Sequence, residues 1–146
     1  MVKVQNFISQ FLVMVKYLKK LNYILLVEDN EFINVYNRKI IEKLNVCDRI
    51  EIIEDATDAL SYITNQTILP DLILLDINMP RMNGWEFIEE FLKMDREHRT
   101  KIVILSTSPN PDDVIKYSAF SEILCFEKKP LTKEKIHSIV TKYFGK

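Results

Sequence analysis

A chain of 146 residues, 47% hydrophobic and 28% charged, has the makings of one globular domain that buries roughly 68–70% of its unfolded surface. A net charge of -1 argues against the basic footprint that nucleic acid demands, and no apolar stretch approaches the ~18 residues of a membrane span. The two cysteines, Cys47 and Cys125, fit neither a disulfide framework nor a zinc site, which implies packed thiols in a reduced, cytoplasmic setting.

The first 21 residues stand apart as an N-terminal extension. They contain no acid and carry Lys3, Lys16, Lys19 and Lys20. Val4, Phe7, Ile8, Phe11, Met14, Val15 and Leu18 share one face of a helical wheel. The segment reads as an amphipathic helix for a partner or a membrane surface, as a helix packed on its own domain, or as a stretch upstream of a natural start at Met14. The domain proper is expected over 22–146.

Strand and helix signals then alternate to the end. An apolar run at 22–28 precedes a helical pattern over 30–45, with Phe32, Tyr36, Ile40, Ile41 and Leu44 as its apolar stripe. Asp29 or Asn30 can cap that helix. Ile50, Ile52 and Ile53 mark a short second strand, and Ala56, Ala59, Leu60 and Ile63 a second helix. A third strand covers about 71–77, followed after Gly84 by a helix carrying Trp85, Ile88, Phe91 and Leu92. The fourth strand is 101–106. Its helix opens at Asn110 with Pro111, Asp112 and Asp113, a capping residue followed by proline and by acids at the positive end of the dipole. The fifth strand runs over about 122–127, and Thr132 caps a last helix ending near Tyr143.

Five β-α units with short, nearly unbroken apolar strands point to an α/β protein with a doubly wound parallel sheet, because strands covered on both faces read this way. Ligands in such sheets bind beyond the carboxyl ends of the strands, at the point where strand order reverses. In the order 2-1-3-4-5 that point lies between the first and third strands. The polar groups that end the apolar runs are Glu28 and Asp29, Asp76, Ser106 and Lys129.

Together these groups describe a pocket for a metal and a phosphoryl group. Two like charges ~4 Å apart repel by about 4 kcal/mol at an effective dielectric of ~20. A divalent cation relieves that repulsion, and an all-oxygen site suits Mg2+ or Mn2+. Lys129 and the Ser106 hydroxyl can donate to phosphoryl oxygens, and Asp76, at a strand tip, is placed to act as a nucleophile forming an acyl phosphate. No P-loop and no strand-end Gly-x-Ser-x-Gly motif is present, so ATP binding and serine acyl transfer are poorly supported.

The chain resembles the receiver domains of two-component response regulators, in their stand-alone form. The resemblance covers residues 22–144. It rests on Val27-Glu28-Asp29-Asn30, on the run from Leu75 and Asp76 through Met79, Pro80 and Met82 to Gly84, on Ile104-Leu105-Ser106, and on Phe126 with Lys129-Pro130. It implies a flavodoxin-like receiver fold, with a five-stranded sheet of order 2-1-3-4-5 and five flanking helices. By position, Asp76 would be the phosphoacceptor, served by a sensor histidine kinase or a histidine phosphotransfer protein. Mg2+, or Mn2+ in its place, would be bound by Asp29, Asp76 and the backbone carbonyl of Asn78, with Glu28 acting through water. Ser106 and Phe126 would form the switch pair. Lys129 would pair with the phosphoryl group, and its bond to Pro130 would be cis. Output would pass to a downstream protein through the face of the fourth helix, fifth strand and fifth helix.

Glu28 stands where aspartate is commoner in that family, and Thr107 stands where a smaller residue is usual. Neither removes a needed functional group. Two other readings compete. A haloacid dehalogenase-type phosphatase also uses a strand-end aspartate with Mg2+, but it needs an acid two residues later, where this chain has Asn78, and its nucleophile lies on the first strand. A receiver-shaped adaptor would bind its partner without phosphorylation and would leave the pocket residues unexplained.

Overall fold

The computed structural model describes residues 6–10, 20–95, 97, 99–107 and 109–145. Among the described residues from Leu21 onward, five strands and five helices alternate: β1 (Leu21–Val27), α1 (Glu31–Leu44), β2 (Cys47–Ile53), α2 (Ala56–Thr64), β3 (Leu72–Asp76), α3 (Gly84–Met94), β4 (Lys101–Ser106), α4 (Pro111–Ser118), β5 (Ile123–Lys128) and α5 (Lys133–Phe144). All neighbouring strands pair in parallel, in the order β2-β1-β3-β4-β5. This is the doubly wound receiver-type sheet implied by the sequence.

The alternation of side chains along the central strands divides the core in two. Tyr23, Leu25, Val27, Ile73 and Leu75 face α2 and α3, where Ala59, Ile63, Phe87, Ile88 and Phe91 close over them. Ile24, Leu26, Leu72 and Leu74 face the other way, against Ile40, Ile41 and Leu44 of α1 and Ile136, Ile139 and Val140 of α5. With both faces covered, β1 is apolar from Tyr23 and β3 as far as Leu75, and acids come at their carboxyl ends: Glu28 directly after β1 and Asp76 as the last residue of β3.

The helices start where their caps predict. Asn30, Asp55, Asn83, Asn110 and Thr132 each accept a backbone N–H from the first turn of their helix. Asn83 with Glu86, and Asn110 with Asp113, close reciprocal capping boxes. The second strand is longer than Ile50–Ile53, because it pairs with β1 from Cys47 onward.

The stripe expected on the first helix is corrected. Phe32 is 83% and Tyr36 46% exposed, whereas Asn34 and Asn37 turn inward with Ile40, Ile41 and Leu44. The helix is rotated toward the carboxyl end of β1, where Asn34 Nδ2 donates to the Glu28 carbonyl at 2.8 Å. The amphipathic segment expected over 1–21 falls mostly outside the described residues; of its apolar face, Phe7 and Ile8 belong to a helical, exposed stretch at 6–10. Among the described residues no helix is long and apolar enough to cross a membrane.

Candidate functional site

The sheet brings the strand-end groups together in one place. Val27 pairs with Leu75, Asp76 with Leu105 and Ser106 with Lys128, so Glu28, Asp76, Ser106 and Lys129 follow one another across the carboxyl edge. Glu28, Asp29 and Asp76 each place a carboxylate oxygen within 4.8 Å of the others. Lys129 Nζ donates to Glu28 Oε1 at 2.7 Å and lies 3.4 Å from Asp76 Oδ2. The Lys129 backbone N–H donates to the Ser106 carbonyl at 2.9 Å, which ties β5 to β4 at the site, and the Lys129-Pro130 bond is cis.

Asp76 is more buried than a strand-tip carboxylate suggests, at 6% exposure; Glu28 is equally enclosed, and Asp29 faces solvent. The two oxygens of Asp76 differ. Oδ1 accepts the Asn78 backbone N–H at 3.0 Å, while Oδ2 faces the lysine. That turn also fixes Asn78 two residues past Asp76, within the loop leading to α3.

The charges are unbalanced. Burial, and then the side-chain hydrogen bond with Asp76, push the Glu28 carboxyl up to about 8 against the lowering effect of Lys129. Burial alone would depress the Lys129 ammonium, but its hydrogen bond to Glu28 and the charge of Asp76 outweigh this and raise it. The two shifts oppose each other, since a protonated Glu28 would forfeit the attraction that raises the lysine. The 2.7 Å contact belongs to the ionised form of Glu28, the form that a cation in the cluster would favour. What both shifts express is a cluster short of positive charge. Glu28 Oε2 and Ser106 Oγ are buried there without a hydrogen-bond partner. Acceptor oxygens in surplus and a hydroxyl awaiting one fit a divalent cation beside an anionic group.

The surroundings hold this edge in place. Gly84 opens α3 against the residue after Asp76: a Cβ there would lie 2.6 Å from Ile77 Cα and 3.0 Å from the Asp76 carbonyl oxygen. Arg81, in the left-handed region at φ 65°, reaches Asp55 at the start of α2 with a 2.6 Å ion pair. Phe126 is half-buried on β5, its ring edge-on to Tyr117 of α4 at 6.3 Å. Trp85 is buried, and its Nε1 donates to Asp113 Oδ1 at 2.9 Å. Cys47 and Cys125 are free thiols; burial pushes the Cys125 thiol up to about 11.

Asn34 and Asn37 did not stand out in the sequence, because a helical amide next to an apolar stripe reads as a solvated position. The one available signal was their spacing from Ile40, Ile41 and Leu44, which puts them on the same face.

Residues 24–141 match the model of the response regulator receiver domain. The chain belongs to that family. It is 30% identical over 121 residues to the probable methanogenesis regulatory protein FilR2 of Methanothrix harundinacea, covering 80% of this chain and 77% of that protein. A two-component response regulator from Cytophaga hutchinsonii superposes with a TM-score of 0.75 at 28% identity, over 85% of this chain and 97% of that one. The phosphorylated cyanobacterial phytochrome response regulator RcpA does so with a TM-score of 0.68, also at 28% identity, over 83% and 89% of the two chains. The receiver domain of sensor histidine kinase PA1611 from Pseudomonas aeruginosa, 21% identical with a TM-score of 0.71 over 86% of this chain and 98% of that one, has a magnesium ion coordinated in its active-site cleft. In this receiver Glu28, Asp29 and Asp76 form an acidic cluster able to hold a metal ion.

Proposed function

We propose that this receiver accepts a phosphoryl group on Asp76 from the phosphohistidine of a sensor histidine kinase or histidine phosphotransfer protein, in the cytoplasm, and signals by phosphorylation-dependent protein binding. The observation that carries this reading is the juxtaposition of Asp76 Oδ2 with Lys129 Nζ at 3.4 Å, inside a cluster of three carboxylates. The phosphorylated state of a relative 28% identical to this chain supports it.

In the transfer, an Asp76 carboxylate oxygen forms a bond to phosphorus as the phosphorus–nitrogen bond of the donor breaks. The imidazole leaves with the electron pair and takes up a proton. The product is an acyl phosphate. A bound Mg2+, or Mn2+ in its place, supplies positive charge that offsets the three carboxylates and the phosphoryl oxygens. Asp29 and Asp76 would hold it directly with the Asn78 carbonyl, and Glu28 through water. Lys129, already within reach of Asp76, pairs with one phosphoryl oxygen, and the Ser106 hydroxyl donates to another.

Drawing Ser106 toward that oxygen moves β4, and Phe126 on the next strand responds at its contact with Tyr117 of α4. The face beyond carries Val114 and Ile115, 56% and 70% exposed, as apolar points for a partner. A phosphoryl group contacts one arrangement of this face better than the other, which is what a population shift requires. Incubation with a phosphodonor and Mg2+ should add one phosphoryl group to the protein, and Asp76→Asn should lose it. Equal labelling of Asp76→Asn would overturn the assignment.

A further inference from the structure

Asn37 lies on the inward face of α1, 3% exposed, and its Oδ1 has no hydrogen-bond partner. An apolar side chain there would complete the packing of Ile40, Ile41 and Leu44, so an amide costs the core free energy it does not recover from the protein. The residue lines a void of about 10 Å³. Leu26, Val27, Leu74 and Leu105 line it as well, together with Glu28, Asp76 and Lys129.

That volume is the size of one water molecule, and the polar groups around it match a water's needs. Asn37 Oδ1 and Glu28 Oε2 are both buried acceptors without donors. Lys129 has three N–H groups, of which one serves Glu28 Oε1 and another points toward Asp76. A single water can donate to the first two oxygens and accept from the third N–H.

We propose that Asn37 is a positioning residue for phosphotransfer, anchoring Lys129 and Glu28 through one bound water so that the ammonium stays aimed at Asp76. The proposal rests on Asp76 being the phosphoacceptor. Its physical basis is that Lys129 has one close partner, Glu28, which a cation would draw on in turn. An anchor reaching the ammonium across this void must then be neutral. A carboxylate at position 37 would add a fourth negative charge and hold the ammonium back from the phosphoryl group, whereas an amide oxygen offers an acceptor that does not compete for the cation.

The test compares Asn37→Val with Asn37→Thr, two side chains of nearly equal shape that differ in a hydroxyl. The phosphorylation rate with acetyl phosphate at saturating Mg2+ is measured beside the thermal unfolding of the unphosphorylated protein. Asn37→Val should keep or raise the unfolding temperature yet be phosphorylated about tenfold more slowly, the scale on which partners of metal and catalytic ligands act. Asn37→Thr should recover most of the rate. Equal rates for Asn37→Val and the unmodified protein would overturn the proposal, and so would equal slowing in both variants, since packing alone would then explain it. Should Asn37→Val not fold, Asn37→Ala and Asn37→Ser read the same contrast. A parent protein that takes no phosphoryl group on Asp76 would instead sink the phosphoacceptor reading itself.

Discussion

Glu28 bears the electrostatic tension of the site. Its carboxyl is raised in the folded protein from an ordinary 4.5 to about 8, first by burial and then by Asp76. The folded state therefore keeps a proton that the unfolded chain gives up near 4.5. The sign follows from linkage: this contribution to stability is fully present below about 4.5 and is lost as pH rises through about 8. In chelator, the unfolding free energy of the protein relative to Glu28→Gln should fall between those pH values. Mg2+ should reduce the fall, because a cation favours the ionised form. Urea unfolding of both proteins across that range checks this, and a difference that rises with pH in chelator would contradict it. Asp76, Ser106 and Lys129 were legible in the sequence because each ends an apolar run, and a polar group at the tip of a buried strand is conspicuous. The burial of Asp76 was not, since it depends on Lys129 arriving from 53 positions further along the chain.

At the scale of elements, the loop from Asp76 to α3 and the start of α4 hold the site's shape. Gly84 is needed for close approach and not for an unusual φ. Gly84→Ala forces a Cβ against Ile77 Cα at 2.6 Å, and backbone cannot yield there as a side-chain tip could. It should cost about 1–3 kcal/mol by denaturant unfolding, in the range of overpacked cores, and should slow phosphorylation by displacing Asp76. A neutral Gly84→Ala would mean that the two segments separate easily. Trp85 joins α3 to α4: Asp113 Oδ1 accepts the indole N–H, while Oδ2 accepts the Asn110 backbone N–H of the capping box. Trp85→Phe strips one buried carboxylate oxygen of its donor, which should destabilise the protein by roughly 1–3 kcal/mol. Phosphorylation of Asp76 should survive, since the indole touches none of the reacting groups. The capping signals and strand runs made nearly every element legible within a residue or two. The first helix failed in part because Phe32 and Tyr36 look like core, and only the docking of Asn34 on the Glu28 carbonyl settles which face turns inward.

Over the whole molecule, function follows from strand order. Because β1 lies between β2 and β3, the crossovers leave opposite faces on either side of the β1–β3 pair, and the carboxyl ends of that pair open between them. The chain places Glu28 and Asp29 at one end and Asp76 at the other, then supplies Ser106 and Lys129 from the next strands outward. Alternating β and α signals with unbroken apolar strands fix that architecture from the sequence. Partner identity is different in kind, because exposed apolar residues such as Val114, Ile115 and Phe32 carry no pattern that specifies a second protein. The account stands on phosphorylation of one carboxylate. Borohydride trapping after incubation with a phosphodonor and Mg2+, followed by peptide mass spectrometry, reads it directly. The expected result is reduction of the acyl phosphate to homoserine at position 76 alone; reduction at Asp29 or Glu28 with Asp76 intact would contradict the account.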